Sequence, residues 1–340
     1  MLSGAGGKLP VKKAIRVLAV LIPTLALAAA GFVFVHGAHA SGGCTATGYT
    51  HYGPNLTAAI INPSGKFSGD VDATGCDIGV YYGPGAHGTV SNATIHGAKW
   101  FGVLNNGGAV DVVGSNIHDI GETPFNGAQH GVGIYFAYDT GASGKIWDNT
   151  VSRYQKGGIV VNGASDSASI KGNTVTGLGP VSFIAQNGIQ VGYGASAQVM
   201  QNTVSENSFT GTSTDSGGIL VVGGAGYGGD YTAGTQIVGN TVINNDVGIY
   251  LSNVDENFNA PTTATNIKVV NNTISSDAVN NNYGGMGYQA GISDQGNNDK
   301  MINNTISGVG YTPDNVHYLV AIDADTSFTN RPKVHANTVN

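Results

Sequence analysis

In a chain of 340 residues of which only 10% are charged, reactive side chains gather between residues 118 and 156. His118, Asp119, Glu122, His130, Tyr135, Arg153, Tyr154 and Lys156 all fall there. The set suits two chemistries. Elimination beside a carboxylate needs a cation to neutralise it, a base for the adjacent proton and an acid for the leaving oxygen. Arg153 fits the first role, Lys156, His118 or His130 the second, and Tyr135 or Tyr154 the third. Hydrolysis between two sugars needs instead a pair of carboxylates about 5 to 9.5 Å apart. Asp119 with Glu122 or Asp215 is the candidate pair. Gln155, Gln186, Asn187, Gln190 and Asp215 are the candidate ligand contacts.

What positions these residues is a repeat. An Asn-Thr-Val or Asn-Thr-Ile triplet recurs at Asn149, Asn173, Asn202, Asn240, Asn272, Asn304 and Asn337, with degenerate copies at Ala93-Thr94-Ile95 and Ser115-Asn116-Ile117. A glycine-led segment keeps step with it, its central apolar residue at Val103, Ile134, Ile159, Ile189, Ile219, Ile249, Ile292 and Ile322. A third apolar segment lies between them: Val112-Val113, Ile146-Trp147, Ile170, Val199-Met200, Ile237-Val238, Ile267, Met301-Ile302 and Val334. Three short alternating strands per repeat predict a coil that buries its apolar face only by stacking on its neighbours. The expected fold is all-β, a parallel β-helix of three sheets with rungs about 4.8 Å apart. Asparagine once per rung suits a left-handed turn and a ladder of side-chain amides.

The Gly-Asn-Thr-Val and Gly-Gly-Ile pattern resembles the right-handed parallel β-helix proteins of the pectate-lyase-like superfamily, in their secreted bacterial form, over about residues 70 to 340. The resemblance implies right-handedness and action on polysaccharides as lyase, hydrolase or epimerase. It implies calcium as the one cofactor to consider, although no residue here is assigned as a metal ligand. For a uronate polymer, Arg153 would meet the substrate carboxylate and the base would act at C5. The family also holds members that are not enzymes. The expected function is therefore action on, or binding of, an extended polysaccharide, with lyase ahead of hydrolase; the alternative is a non-enzymatic surface scaffold for glycan or protein.

Registration of the repeats places His96 and His118 on adjacent rungs, and Asp119 beside Arg153. Loops 119–129, 177–186, 206–216 and 276–289 should wall a groove along one edge. Its floor would be Gly133, Gly158, Gly188, Gly218 and Gly248, or these glycines serve close packing. Trp100, Phe101 and Trp147 read as packing residues rather than sugar platforms, although exposed aromatics would stack on sugars.

Residues 1–40 carry Lys8, Lys12, Lys13 and Arg16, an apolar run from Val17 to Val35, and Ala38-His39-Ala40. This is the pattern of a secretion signal, with an uncleaved anchor as the alternative. Without it ten basic residues face twenty-one acidic ones, a formal charge of about −11. That balance argues against nucleic acid as a partner. After cleavage no membrane contact is expected, and the mature chain, 41–340, reads as one extracellular or cell-surface domain. Cys44 and Cys76 are expected to form a disulfide within an N-terminal cap around 41–76. The sequence as given stops within a repeat at Asn337-Thr338-Val339-Asn340, an expected edge for self-association.

Overall fold

The computed structural model describes residues 43–324 and 329–340. The leader expected over residues 1–40 lies outside them. The chain winds as a right-handed parallel β-helix with eleven strands in sheet A and ten each in sheets B and C. Each turn visits A, B and C in that order. Val132–Phe136, Ser143–Trp147 and Thr150–Tyr154 make one coil, and Gly157–Asn162 starts the next.

The expected apolar residues form inward columns. Val103, Ile134, Ile159, Ile189, Ile219, Ile249 and Ile292 stand in register in sheet A. They meet the triplet residues Val151, Val175, Val204, Val242, Ile274 and Ile306 of sheet C in a single core. Each such side chain, fully buried, contributes roughly 1.5 to 3 kcal/mol. One register differs from expectation: Val269, not Ile267, stands beside Ile237 and Met301 in sheet B. Both residues are buried, because positions two apart share a strand face.

The triplet asparagines form the ladder. Asn149 Nδ2 donates to Asn173 Oδ1 at 2.9 Å, and Asn173, Asn202, Asn240, Asn272 and Asn304 each repeat the bond to the next rung. Each Oδ1 also accepts the backbone N–H of the preceding ladder asparagine, as in Asn149 N to Asn173 Oδ1. The left-handed residue is not the asparagine, as expected, but its predecessor: Asp148, Gln201, Asn271 and Asn303 have φ between 55° and 57°. The turn is thus made one residue earlier, which leaves the amide free to point along the axis.

Sheet A is apolar on both faces, so its strands read as nearly continuous hydrophobic runs. Ile78, Tyr81, Phe101, Leu104, Val132, Tyr135 and Val160 form a second cluster on its outer side, with Tyr49 and Trp100 packed against it. Farther along, Leu220, Val222, Tyr227, Val247, Tyr250 and Tyr288 form a third.

The coil begins earlier than the expected cap allows. Asn55–Ile61, Gly65–Phe67 and Asp70–Asp72 already pair into sheets A, B and C. Only Thr45–Thr50 lies across the end, antiparallel to Asn55–Ile61. The Cys44–Cys76 disulfide ties it down, closing a separation of 32 residues, which is worth about 3 to 4 kcal/mol by loop entropy. In the last described coil, Val334 and Val339 stand in register with Met301 and Ile306 but are exposed. Among the described residues no helix is long and apolar enough to cross a membrane.

Candidate functional site

Most residues singled out from the sequence gather at the corner between sheets C and A, in three settings, while Tyr135 and Gln190 lie on the outer face of sheet A to either side of Val160. The first is open to solvent. His96 and His118 stack with ring centroids 5.3 Å apart and planes within 5°. His118 Nδ1 lies 2.7 Å from Asp119 Oδ2, and Arg153 Nε donates to Asp119 Oδ1 at 2.5 Å. Asp119 and Arg153 both adopt positive φ, 54° and 48°, which turns them off the sheet. Burial alone would raise the Asp119 pKa, but hydrogen bonds from His118 and Arg153 and the guanidinium charge hold it below the usual carboxylate range.

The second setting lies at the root of loop 121–131. His130 Nε2 is 2.8 Å from Glu122 Oε1, and Lys99 Nζ is 3.1 Å from the same oxygen. The His130 ring stacks on Trp100 at 4.1 Å. Burial lowers the His130 pKa although Glu122 pulls the other way. For Glu122, burial acts upward and is outweighed by the bonds from Lys99 and His130, so the carboxylate is held low. His51 reaches over from the N-terminal segment, edge-on to Trp100, Phe101 and Tyr135. Its pKa is lowered to about 4, first by burial and then by His130.

The third setting is closed. Lys156, Gln155, Gln186, Asn187, Asp215 and Tyr135 are all buried. Gln155 Oε1 accepts from the backbone N–H groups of Glu122 and Asn126, and its Nε2 donates to Ala128 O, so one side chain clamps loop 121–131. Gln186 does the same one coil on, accepting from Leu178 N and donating to Tyr154 O. Gln289 repeats it with Asn280, Asn281 and Ala278. Lys156 stands in this column, and its Nζ donates to Ala185 O at 2.8 Å. Burial lowers its pKa to about 8. Asp246, another member, accepts from Ser208, Phe209 and Ser216, and burial raises it to about 6. Asn187 Oδ1 is taken by Gly217 N. The Tyr135 hydroxyl is enclosed, and burial raises its pKa; Tyr154 donates to Asn207 Oδ1 at 2.6 Å. Of the candidate ligand contacts, Gln190 alone is half-exposed, bonded to Asn162 Oδ1.

Two sequence expectations change with this geometry. Of the two readings of the glycine stripe, close packing holds and the groove floor does not: a Cβ on Gly133, Gly158 or Gly188 would lie within 2.5 Å of Val151, Val175 or Val204 and against the next glycine's carbonyl. They permit the close turn from sheet C into sheet A. The polar residues preceding them anchor loops rather than line a groove. Nor is there a donor set for the calcium that the resemblance implies: among the described residues no three His, Cys, Asp or Glu side chains converge, and Asp119 and Glu122 are already bonded to cations.

The feature that sequence reading passed over lies on the outer face of sheet B. A shallow depression there is lined by Gly144, Ser167, Ser169, Ser196 and Gln198. It exists because small residues occupy three successive rungs; at Gly144 a Cβ would collide with the Val110 carbonyl. Beside it Trp147, expected as a packing residue, is only half-buried and donates its Nε1–H to Ser169 Oγ at 3.0 Å. Lys145 Nζ lies 4.9 Å and Lys171 Nζ 5.9 Å from the centroid of its ring. The alternation Lys145-Ile146-Trp147, with Ile146 inward, was the available signal.

No family model, no curated protein and no solved structure matches this chain.

Proposed function

We propose that this β-helix is a secreted, non-catalytic carbohydrate-binding protein of the pectate-lyase-like kind, holding an extended polysaccharide along a flank of the coil. The observation that carries this reading is the half-exposed Trp147 ring beside a hollow edged with serine hydroxyls and an amide. An aromatic face stacks on the apolar face of a sugar, while hydroxyls and amides meet its rim. By contrast, Lys156 at the C–A corner and Tyr135 on the outer side of sheet A are enclosed, so two of the residues assigned to elimination lie out of a polymer's reach. The disulfide is compatible with an oxidising, extracellular setting. The test is retardation of the protein in gels containing a panel of neutral and acidic polysaccharides. At least one polymer should retard it, and Trp147→Ala should abolish the effect with the melting temperature unchanged. Retardation of the variant equal to that of the parent would remove the basis of the reading.

A second reading, elimination on a uronate, is favoured by one arrangement. Asp119 holds His118 through Nδ1, leaving Nε2 without a protein partner among the described residues, as an oriented base requires. Incubation with the same polymers, followed by ultraviolet absorbance and reducing ends, separates the two. New absorbance that disappears in His118→Ala would make the chain a lyase.

A further inference from the structure

Ten basic residues follow the expected leader, and the fold divides them sharply. Four are engaged within the protein: Lys99 with Glu122, Arg153 with Asp119, Lys156 with Ala185 O, and Arg331 with Asn297. The other six, Lys66, Lys145, Lys171, Lys268, Lys300 and Lys333, all lie on strands of sheet B. None of the six is in an ion pair among the described residues. The sheet B strands carry a single carboxylate, Asp111. Lys268, Lys300 and Lys333 are directly paired on three successive rungs, about 4.8 Å apart. Like charges opposite one another in a sheet are destabilising, and among the described residues no ion pair compensates them.

We infer that the polysaccharide held on sheet B is a polyanion, its carboxylates or sulfates bound by this lysine face. The inference rests on the carbohydrate-binding reading and adds the ligand's charge. The protein as a whole is strongly acidic, so a polyanion is repelled at long range and attracted only at this face. An ammonium group is a compact point charge that meets carboxylate or sulfate without fixed geometry. A repeating ligand therefore needs no exact register with the rungs. The Trp147 ring and the serine-lined hollow, on the same sheet face as the lysines, select a sugar polymer over a bare string of charges. Lys145 and Lys171 bring charge to the ring itself, and the polar column from Lys145 through Ser169, Gln198 and Gln236 leads on to Lys268.

The test measures binding of the full chain to polygalacturonate, to a neutral dextran and to duplex DNA, at low and high salt. Expected is binding to polygalacturonate that weakens at least tenfold at high salt. The same loss should follow from Lys268→Gln/Lys300→Gln/Lys333→Gln, with Lys99→Gln, which removes a cation at the C–A corner, as an unaffected control and circular dichroism confirming the fold. Binding to dextran as strong as to polygalacturonate, and insensitive to salt, would overturn the polyanion inference while leaving the carbohydrate reading intact. DNA bound as tightly as polygalacturonate would overturn the choice of a sugar polymer. Binding to none of the three would count against both readings.

Discussion

The corner between sheets C and A and the outer face of sheet B both carry charged and polar residues and use them in opposite ways. At the corner, cations, imidazoles and amides point at one another or at loop backbone. On sheet B, six lysines lie outside any ion pair among the described residues, five of them exposed and Lys300 half-buried. Density of reactive side chains therefore does not by itself mark a binding surface. Where long loops leave a solenoid their backbone groups must be satisfied, and the polar residues at their roots are consumed in doing so. Outward positions within the strands of sheet B carry no such demand, and polar residues kept there remain available.

This contrast can be broken most severely at the clamps. Gln155→Leu strips partners from Glu122 N, Asn126 N and Ala128 O at once. The expected loss is about 3 kcal/mol, measured by denaturant unfolding, with proteolysis appearing first within loop 121–131. Cleavage elsewhere would mean that the loop is held by other contacts.

Lys156→Met sharpens it through pH. The folded state releases the Lys156 proton at about 8 and the unfolded chain near 10.5. Between those values the unfolded state binds more protons, so the wild type gains stability as pH rises through this window. Keeping the buried ammonium charged at pH 7 costs on the order of 3 kcal/mol, partly offset by its bond to Ala185. The methionine variant should be at least as stable as the parent at pH 7, and its advantage should shrink between pH 8 and 10. A difference in melting temperature independent of pH would show that the amine is not confined.

Smaller effects follow at the surface. Arg153→Ala removes an exposed pair and should cost about 0 to 1 kcal/mol. Lys268→Gln/Lys300→Gln/Lys333→Gln should leave stability unchanged or raise it by a few tenths of a kcal/mol at low salt, since it relieves stacked like charges. A loss above 1 kcal/mol would place those lysines among the structural residues.

The repeat made the architecture legible because it fixes both spacing and side-chain direction. The inward columns, the amide ladder, the His96–His118 stack and the Asp119–Arg153 pair all follow from counting along the triplet. Counting fails where parity leaves two choices, as between Ile267 and Val269. It fails again where a strand is covered on both sides: Tyr135 points outward, as a candidate acid would, and is nonetheless buried in the outer cluster. Burial of Gln155, Gln186 and Lys156 could not be read at all, because it depends on loops whose paths the repeat does not set. The lysine face was hidden for another reason: its members are scattered from Lys66 to Lys333, and only stacking brings them onto one plane.

The asparagine ladder also has a direction, since every ladder amide gives one hydrogen to the next asparagine in the later coil and the other to a backbone carbonyl of the coil before, as Asn173 does to Asn202 Oδ1 and to Ile146 O. Pulled from its C-terminal end, the molecule would unwind coil by coil, each step breaking the same set of amide bonds and so meeting a similar force. The lengths released would differ, because successive ladder asparagines are 24, 29, 38, 32, 32 and 33 residues apart. A single-molecule extension trace would then reproduce the spacing of the triplets, read backwards, as a series of unequal steps on a nearly level plateau.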